Sequence, residues 1–140
     1  MFNYGALPTL GRVVQFTEQR QRVIAHNIAN INTPHFIPSD LSVSEFQSSL
    51  RDAIDKRRSS KDPVNGPVQP KDTKTINFGR GGLSASPIDR NQNILFHDRN
   101  NRSVERLMQD MVENAMAYTA SLQMLKSRMD TLGTAISLRV

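Results

Sequence analysis

The chain has 140 residues with 18 Lys and Arg against 13 Asp and Glu, a net charge of +5, and 37% of its residues are apolar. That is enough for one domain with a small core, and the absence of cysteine excludes a disulfide framework, a thiolate metal site and a cysteine nucleophile. There is no run of 18 apolar residues to span a membrane, and the opening Met1-Phe2-Asn3-Tyr4-Gly5-Ala6-Leu7-Pro8 lacks the basic and apolar regions of a Sec-type signal peptide.

A helix is expected over 8–31. Pro8 suits a first helical turn and Thr9 suits a cap. Leu10, Val14, Thr17, Gln21, Ile24, Ile28 and Ile31 step by four and three in alternation, the period of helices that wrap around other helices. The middle of this stripe is polar, at Thr17 and Gln21, while Val13, Phe16 and Val23 add a second apolar edge. Asn27 and Asn30 share a face near the end. Helix interiors disfavour asparagine, so the pair is expected to bond across, most simply to backbone or side chains of a neighbouring helix; a polar helix end with an asparagine cap would explain Asn30 but not Asn27. Thr33-Pro34 stops the helix. After Phe36, Ile37 and Pro38, a short helix over 42–58 opens on a Ser42…Glu45 capping box. Val43, Phe46, Leu50 and Ile54 share its inner face, and Lys56, Arg57 and Arg58 suit its C-terminus.

Helical period is lost over 59–102, which holds Pro63, Pro67, Pro70 and Pro87 and Gly66, Gly79, Gly81 and Gly82. Two β-like pieces, 73–78 and 93–97, are expected to pair as one hairpin. The rest is ordered loop or disordered linker. The whole basic excess lies here, since residues 51–102 carry eleven bases and six acids. A solvated connector is the simpler reading of such scattered charge; a surface for an acidic partner or nucleic acid is the other.

The strongest signal comes last. Val104, Met108, Met111, Ala115, Tyr118, Leu122, Leu125, Met129, Leu132 and Ile136 step by four and three without a slip. Ser103 is the expected N-cap of a helix over 103–138. The 33 residues of the stripe make a rod of roughly 50 Å. Leu107, Val112, Met116 and Met124 widen the stripe, and its methionines read as flexible filler of a helix–helix seam. The fold class is therefore mainly α in one domain. Long N- and C-terminal helices pair as a coiled-coil-like hairpin, joined by a short third helix and an irregular or weakly β middle. An uncovered stripe at each end favours fraying of both terminal helices in the lone subunit.

No constellation for chemistry emerges. His26, His35 and His97 have no His partner at i, i+4 and no carboxylate cluster. Phe78-Gly-Arg-Gly-Gly82 lacks the lysine of a P-loop. Asp98-Arg-Asn-Asn-Arg102 has arginine where a calcium loop needs an oxygen ligand, and no GxSxG elbow is present. The chain is read as a non-enzyme without catalytic residues, metal ligands or cofactor.

One segment stands out: Asn27-Ile-Ala29-Asn30-Ile-Asn-Thr33-Pro34-His-Phe36. It resembles the Asn-x-Ala-Asn-x-x-Thr-Pro-Gly-Tyr signature of the axial flagellar proteins of bacteria, the rod, hook and hook-associated family. His35 stands where glycine is usual, and Phe36 where tyrosine is common. Arg20-Gln21, the Pro38-Ser-Asp40-Leu41 run leading to Phe46, and Asn114 with Tyr118 as Asn-x-x-x-Tyr extend the likeness to both ends of the chain, and the short length suits a proximal rod protein. The resemblance implies a structural subunit of the basal-body rod, the motor drive shaft. It would assemble helically through its terminal helices, lie in the periplasmic space and leave the cell by the flagellar type III apparatus. Implied partners are other rod proteins, the adaptor between MS ring and rod, the export gate and copies of itself, with no nucleic acid and no membrane insertion. Val104, Met108, Met111, Ala115, Leu122, Leu125, Met129, Leu132 and Ile136 are then the assembly seam.

The alternative is a basic helical nucleic-acid-binding protein. The middle segment has few aromatics on which bases could stack, so no micromolar, salt-sensitive binding of single-stranded DNA is expected. Filter binding at two salt concentrations checks this; retention lost on neutralising Lys56, Arg57 and Arg58 would favour the alternative.

Overall fold

The computed structural model describes residues 5–64, 66–79, 82–89 and 101–138. The first helix, α1 (Leu7–Ala29), carries Pro8 in its first turn. Its N-cap is Ala6, which has no side-chain cap bond, so neither Pro8 nor Thr9 is the starting residue. The helix stops two residues short of the expected Ile31. Asn30, at φ −103°, caps it without entering the left-handed region. The reversal continues in tight turns, Thr33 N–H to Asn30 C=O at 2.9 Å and Phe36 N–H to Thr33 C=O at 3.2 Å. The left-handed residue is His35, at φ +62°.

The chain returns along α1 as β1 (Ser39–Asp40) and enters α2 (Val43–Arg58). The Ser42 hydroxyl accepts the Glu45 N–H at 3.2 Å, as a cap requires. The Glu45 carboxylate instead accepts the Thr75 hydroxyl at 3.3 Å, and so ties the start of α2 to the middle segment. Phe46 stacks flat on Phe16 of α1, with ring centroids 4.1 Å apart. Around this pair lie Leu41, Leu50, Ala53, Val68, Ile76 and Leu83. Each large aliphatic side chain buried there is worth about 1.5–3 kcal/mol of transfer free energy.

Three of those core residues, Val68, Ile76 and Leu83, come from the middle segment, which is therefore a packed part of the domain. Its strands differ from expectation. β2 (Ile76–Gly79) pairs antiparallel with β3 (Gly82–Ala85), in the register Ile76↔Ala85 to Gly79↔Gly82. The partner of the first expected strand is thus three residues away in sequence, not the 93–97 piece, which lies outside the described residues. β4 (Ile88–Asp89) pairs antiparallel with β1, Ser39↔Asp89 and Asp40↔Ile88, a non-local contact with no local pattern to announce it. The loop before β2 is anchored by the Ser49 hydroxyl donating to Lys71 C=O at 2.6 Å. Gly5 N–H donates to Val64 C=O of this loop at 3.1 Å, and Gly5 is itself held by Arg57 of α2, which donates to Gly5 C=O at 2.7 Å.

The last helix, α3 (Asn101–Ser137), runs 37 residues, about 55 Å. It starts two residues before Ser103, so Ser103 is an interior residue and not the N-cap. α3 packs along α1 in the antiparallel sense, with Arg20 near Asp110 and Thr17 against Asn114. Leu7 and Gly11 share a cleft with Leu125 and Met129. α1 is shorter, so α3 runs on past the first turn of α1. From Lys126 to Leu138 every side chain is exposed except half-buried Leu132. Among the described residues no helix is long and apolar enough to cross a membrane.

Helix pairing gives α1 and the first part of α3 an internal partner and leaves the end of α3 without one. Hydrogen exchange on the isolated subunit is expected to show protected amides over 107–125 and fast exchange from about 130 onward, where no packing restrains opening.

Candidate assembly interface

The ten-residue stripe of α3 divides into two rows in the folded chain. Val104, Met111, Tyr118, Leu125 and Leu132, seven apart, are half-buried. Met108, Ala115, Leu122, Met129 and Ile136, the other seven-spaced row, are exposed. What completes the inward face is a third row, Leu107, Asn114 and Ser121, all buried. So the helix turns a less apolar pair of rows toward α1 than its sequence offers. The apolar side chains left outside include Val112 and Met116 and Met124, at 53%, 67% and 59% exposure. Val112 and Met116 lie beside the exposed row and form an apolar band with it along one side of α3, while Met124 lies on the opposite flank.

The reason for the choice lies across the seam. Asn114 donates its side-chain amide to Thr17 C=O at 2.9 Å and to the Gln21 side-chain oxygen at 2.8 Å. Thr17 and Gln21 are the polar members of the α1 stripe, so polar positions on the two helices face each other. The Thr17 hydroxyl is satisfied within α1, donating toward Val13 C=O and Val14 C=O. One turn away Arg20 sits between Asp40 of β1 and Asp110 of α3, at 3.5 and 3.7 Å. All three side chains are at least three-quarters buried. A buried charge needs partners, and here they join α1, β1 and α3 at one point.

The signature residues have unequal roles. Asn27 is buried and grips β1: its amide donates to Ser39 C=O at 2.6 Å and its oxygen accepts Ser39 N–H at 3.1 Å. The expected bond to a neighbouring helix is therefore a bond to returning backbone, and the side chain acts as an extra strand residue. Asn30 stays local, donating to His26 C=O at 2.9 Å. Ala29, Thr33 and Pro34 are exposed, and Phe36 is half-buried with its ring edge-on to His26. His35 holds the left-handed conformation that a side chain resists and glycine does not. Tyr118 is half-buried on the inward row, and the Ser121 hydroxyl donates to its C=O at 2.8 Å. Sequence reasoning missed Ser39, Asp110 and Ser121. The polar interruption of the α1 stripe at Thr17 and Gln21 and the asparagine beside the α3 stripe were the available signal for the helix pair; nothing local points to Ser39. No group of three or more His, Cys, Asp or Glu that could hold a metal ion occurs among the described residues.

Two long antiparallel terminal helices, a signature turn clamped by its own asparagine and an exposed apolar row define a mainly helical protein of simple architecture. Three curated proteins similar to the chain carry the same description, flagellar basal body rod protein FlgB. The protein of Borrelia hermsii is 30% identical over 113 residues, covering 77% of this chain and 78% of that protein. That of Bacillus subtilis (strain 168) is 23% identical over 133 residues, 95% and 94% of the two chains. That of Aquifex aeolicus (strain VF5) is 25% identical over 125 residues, 89% and 87%. No protein-family model matches the chain. The chain belongs to the FlgB family of flagellar basal body rod proteins.

The two signature asparagines separate in a stability measurement. Asn27→Ala removes both bonds to the half-buried Ser39 backbone and is expected to cost about 1–3 kcal/mol. Asn30→Ala removes only exposed contacts to His26 and should cost about 0.5 kcal/mol or less. Urea unfolding of the two variants beside the parent checks the order.

Proposed function

We propose that the chain is a subunit of the proximal rod, one that assembles helically with its neighbours through its terminal helices and so forms part of the motor drive shaft. The observation that carries this is the apolar band of α3, which runs from Met108 to Ile136 along the exposed flank beside the α1 contact. A lone small domain has no use for such a band, whereas contacts that repeat without closing on themselves build a filament. The overhang of α3 past α1 supports the same reading, since a segment without an internal partner is free to pack on a neighbour. Its partners on this reading are other copies, other rod proteins, the adaptor between MS ring and rod, and the export gate. The subunit works in the periplasmic space and reaches it through the flagellar type III apparatus. No catalytic, cofactor or metal role is assigned to any residue.

Leu122 is 37% exposed in the subunit, so Leu122→Asp should cost the isolated protein only about 1–2 kcal/mol. In the assembled rod the same carboxylate enters an apolar contact at a cost of several kcal/mol, repeated at every copy. Motility is expected to be lost while secreted subunit is still detected, so that failed assembly is not mistaken for failed export. Lys126→Asp, an exposed position outside the stripe, is the control. Normal swimming by the Leu122→Asp strain would remove the band from the interface.

A further inference from the structure

The rotation of α3 about its own axis is a choice between two settings, and the sequence makes the unused one attractive. In the observed setting the inward rows are Val104-Met111-Tyr118-Leu125-Leu132 and Leu107-Asn114-Ser121. A turn of roughly 50° would replace the second row by Met108-Ala115-Leu122-Met129-Ile136. That setting buries more apolar surface, and hydrophobic burial alone selects it. Two polar contacts oppose it, and both lie on the side of α3 that would swing away. Asn114 would leave Thr17 C=O and Gln21, with Ala115 turned toward them in its place. Asp110 would withdraw from Arg20. A single polar residue in an otherwise apolar seam is known to specify helix register at the expense of stability.

We propose that Asn114, through Gln21 and Thr17, is the positioning residue that sets the rotation of α3 and thereby holds the apolar row of Leu122 on the outside of the subunit. The claim concerns the isolated folded chain. It stands or falls apart from the assembly reading, because it says which face is displayed and not what covers it. It also gives the family's Asn-x-x-x-Tyr pair a physical division of labour. Asn114 chooses the rotation, and Tyr118 belongs to the row that faces inward in either setting.

The chain has no native cysteine, so single thiols report the rotation directly. Ser121→Cys samples the buried row and Leu122→Cys the exposed one. In the parent background the thiol at 122 is expected to react with a maleimide at least about tenfold faster than the thiol at 121, since a buried side chain reacts only through local opening. The paired change Gln21→Leu with Asn114→Leu removes the polar match and leaves an apolar seam. In that background the ratio is expected to fall to about threefold or less, or to invert, with helical circular dichroism retained. Asn114→Ala, which adds no apolar bulk, should lower the ratio part of the way. An unchanged ratio in both backgrounds with helix retained would overturn the proposal, because other contacts would then set the rotation. Loss of helical signal in both would overturn it as well, because Asn114 would then be needed to fold and not to choose between two folded settings.

Discussion

The contact between Asn114 and α1 constrains more of this structure than any other single interaction. Two apolar stripes of heptad period can slide by a turn or roll against each other at little cost, because methionine and leucine fill many gaps equally well. A buried amide tolerates neither motion. It must find Thr17 C=O and Gln21 or stay unsatisfied at a penalty of about 1–3 kcal/mol. One bonded pair therefore fixes axial register and rotation together. Arg20, between Asp40 and Asp110, extends the constraint from the helix pair to β1. Once the register is set, α3 must overhang α1 at one end and present its second apolar row outward. Both features on which the assembly reading rests follow from that polar point.

A second device keeps the return path of the chain against α1. The turn after Ala29 is hydrogen-bonded locally, but it ends in a left-handed histidine, which costs about 1–2 kcal/mol relative to glycine. Asn27 compensates by giving Ser39 both of the bonds a strand neighbour would give. β4 then adds the ladder on the far side. The signature is thus a folding element first: its buried member holds the chain, while Ala29, Thr33 and Pro34 remain at the surface.

The middle segment earns its place in the core through few residues. Val68, Ile76 and Leu83 complete the cluster around the Phe16–Phe46 stack, and the side chains between them are mostly exposed. This is why its charge is distributed as on a connector while its backbone is packed. The α2 cap links to the segment through Glu45 and Thr75, so the short helix, the hairpin of β2 and β3, and the N-terminal half of α1 form one packed body. α3 lies along α1 and contributes no residue to that cluster.

What the sequence by itself determined is whatever depends on neighbours within a turn or two. The three helices lie close to where their periodicity, the Ser42 cap and the prolines put them, and the family signature was legible because its residues are contiguous. The hairpin partner was misjudged because an apolar run at 93–97 is a stronger local β signal than Gly82–Ala85, which pairs through proximity to β2 and through Leu83 in the core. Only the tertiary structure decided which rows of α3 face inward. The stripe read from sequence joins the two most apolar rows, since burial of apolar area is the only term a periodicity can measure. In the folded chain the choice belongs to Asn114, whose hydrogen-bonding requirement is met by Thr17 and Gln21, 97 and 93 residues away. A polar requirement satisfied at that distance is invisible to any local pattern, and it reverses the order of preference that hydrophobicity alone would set.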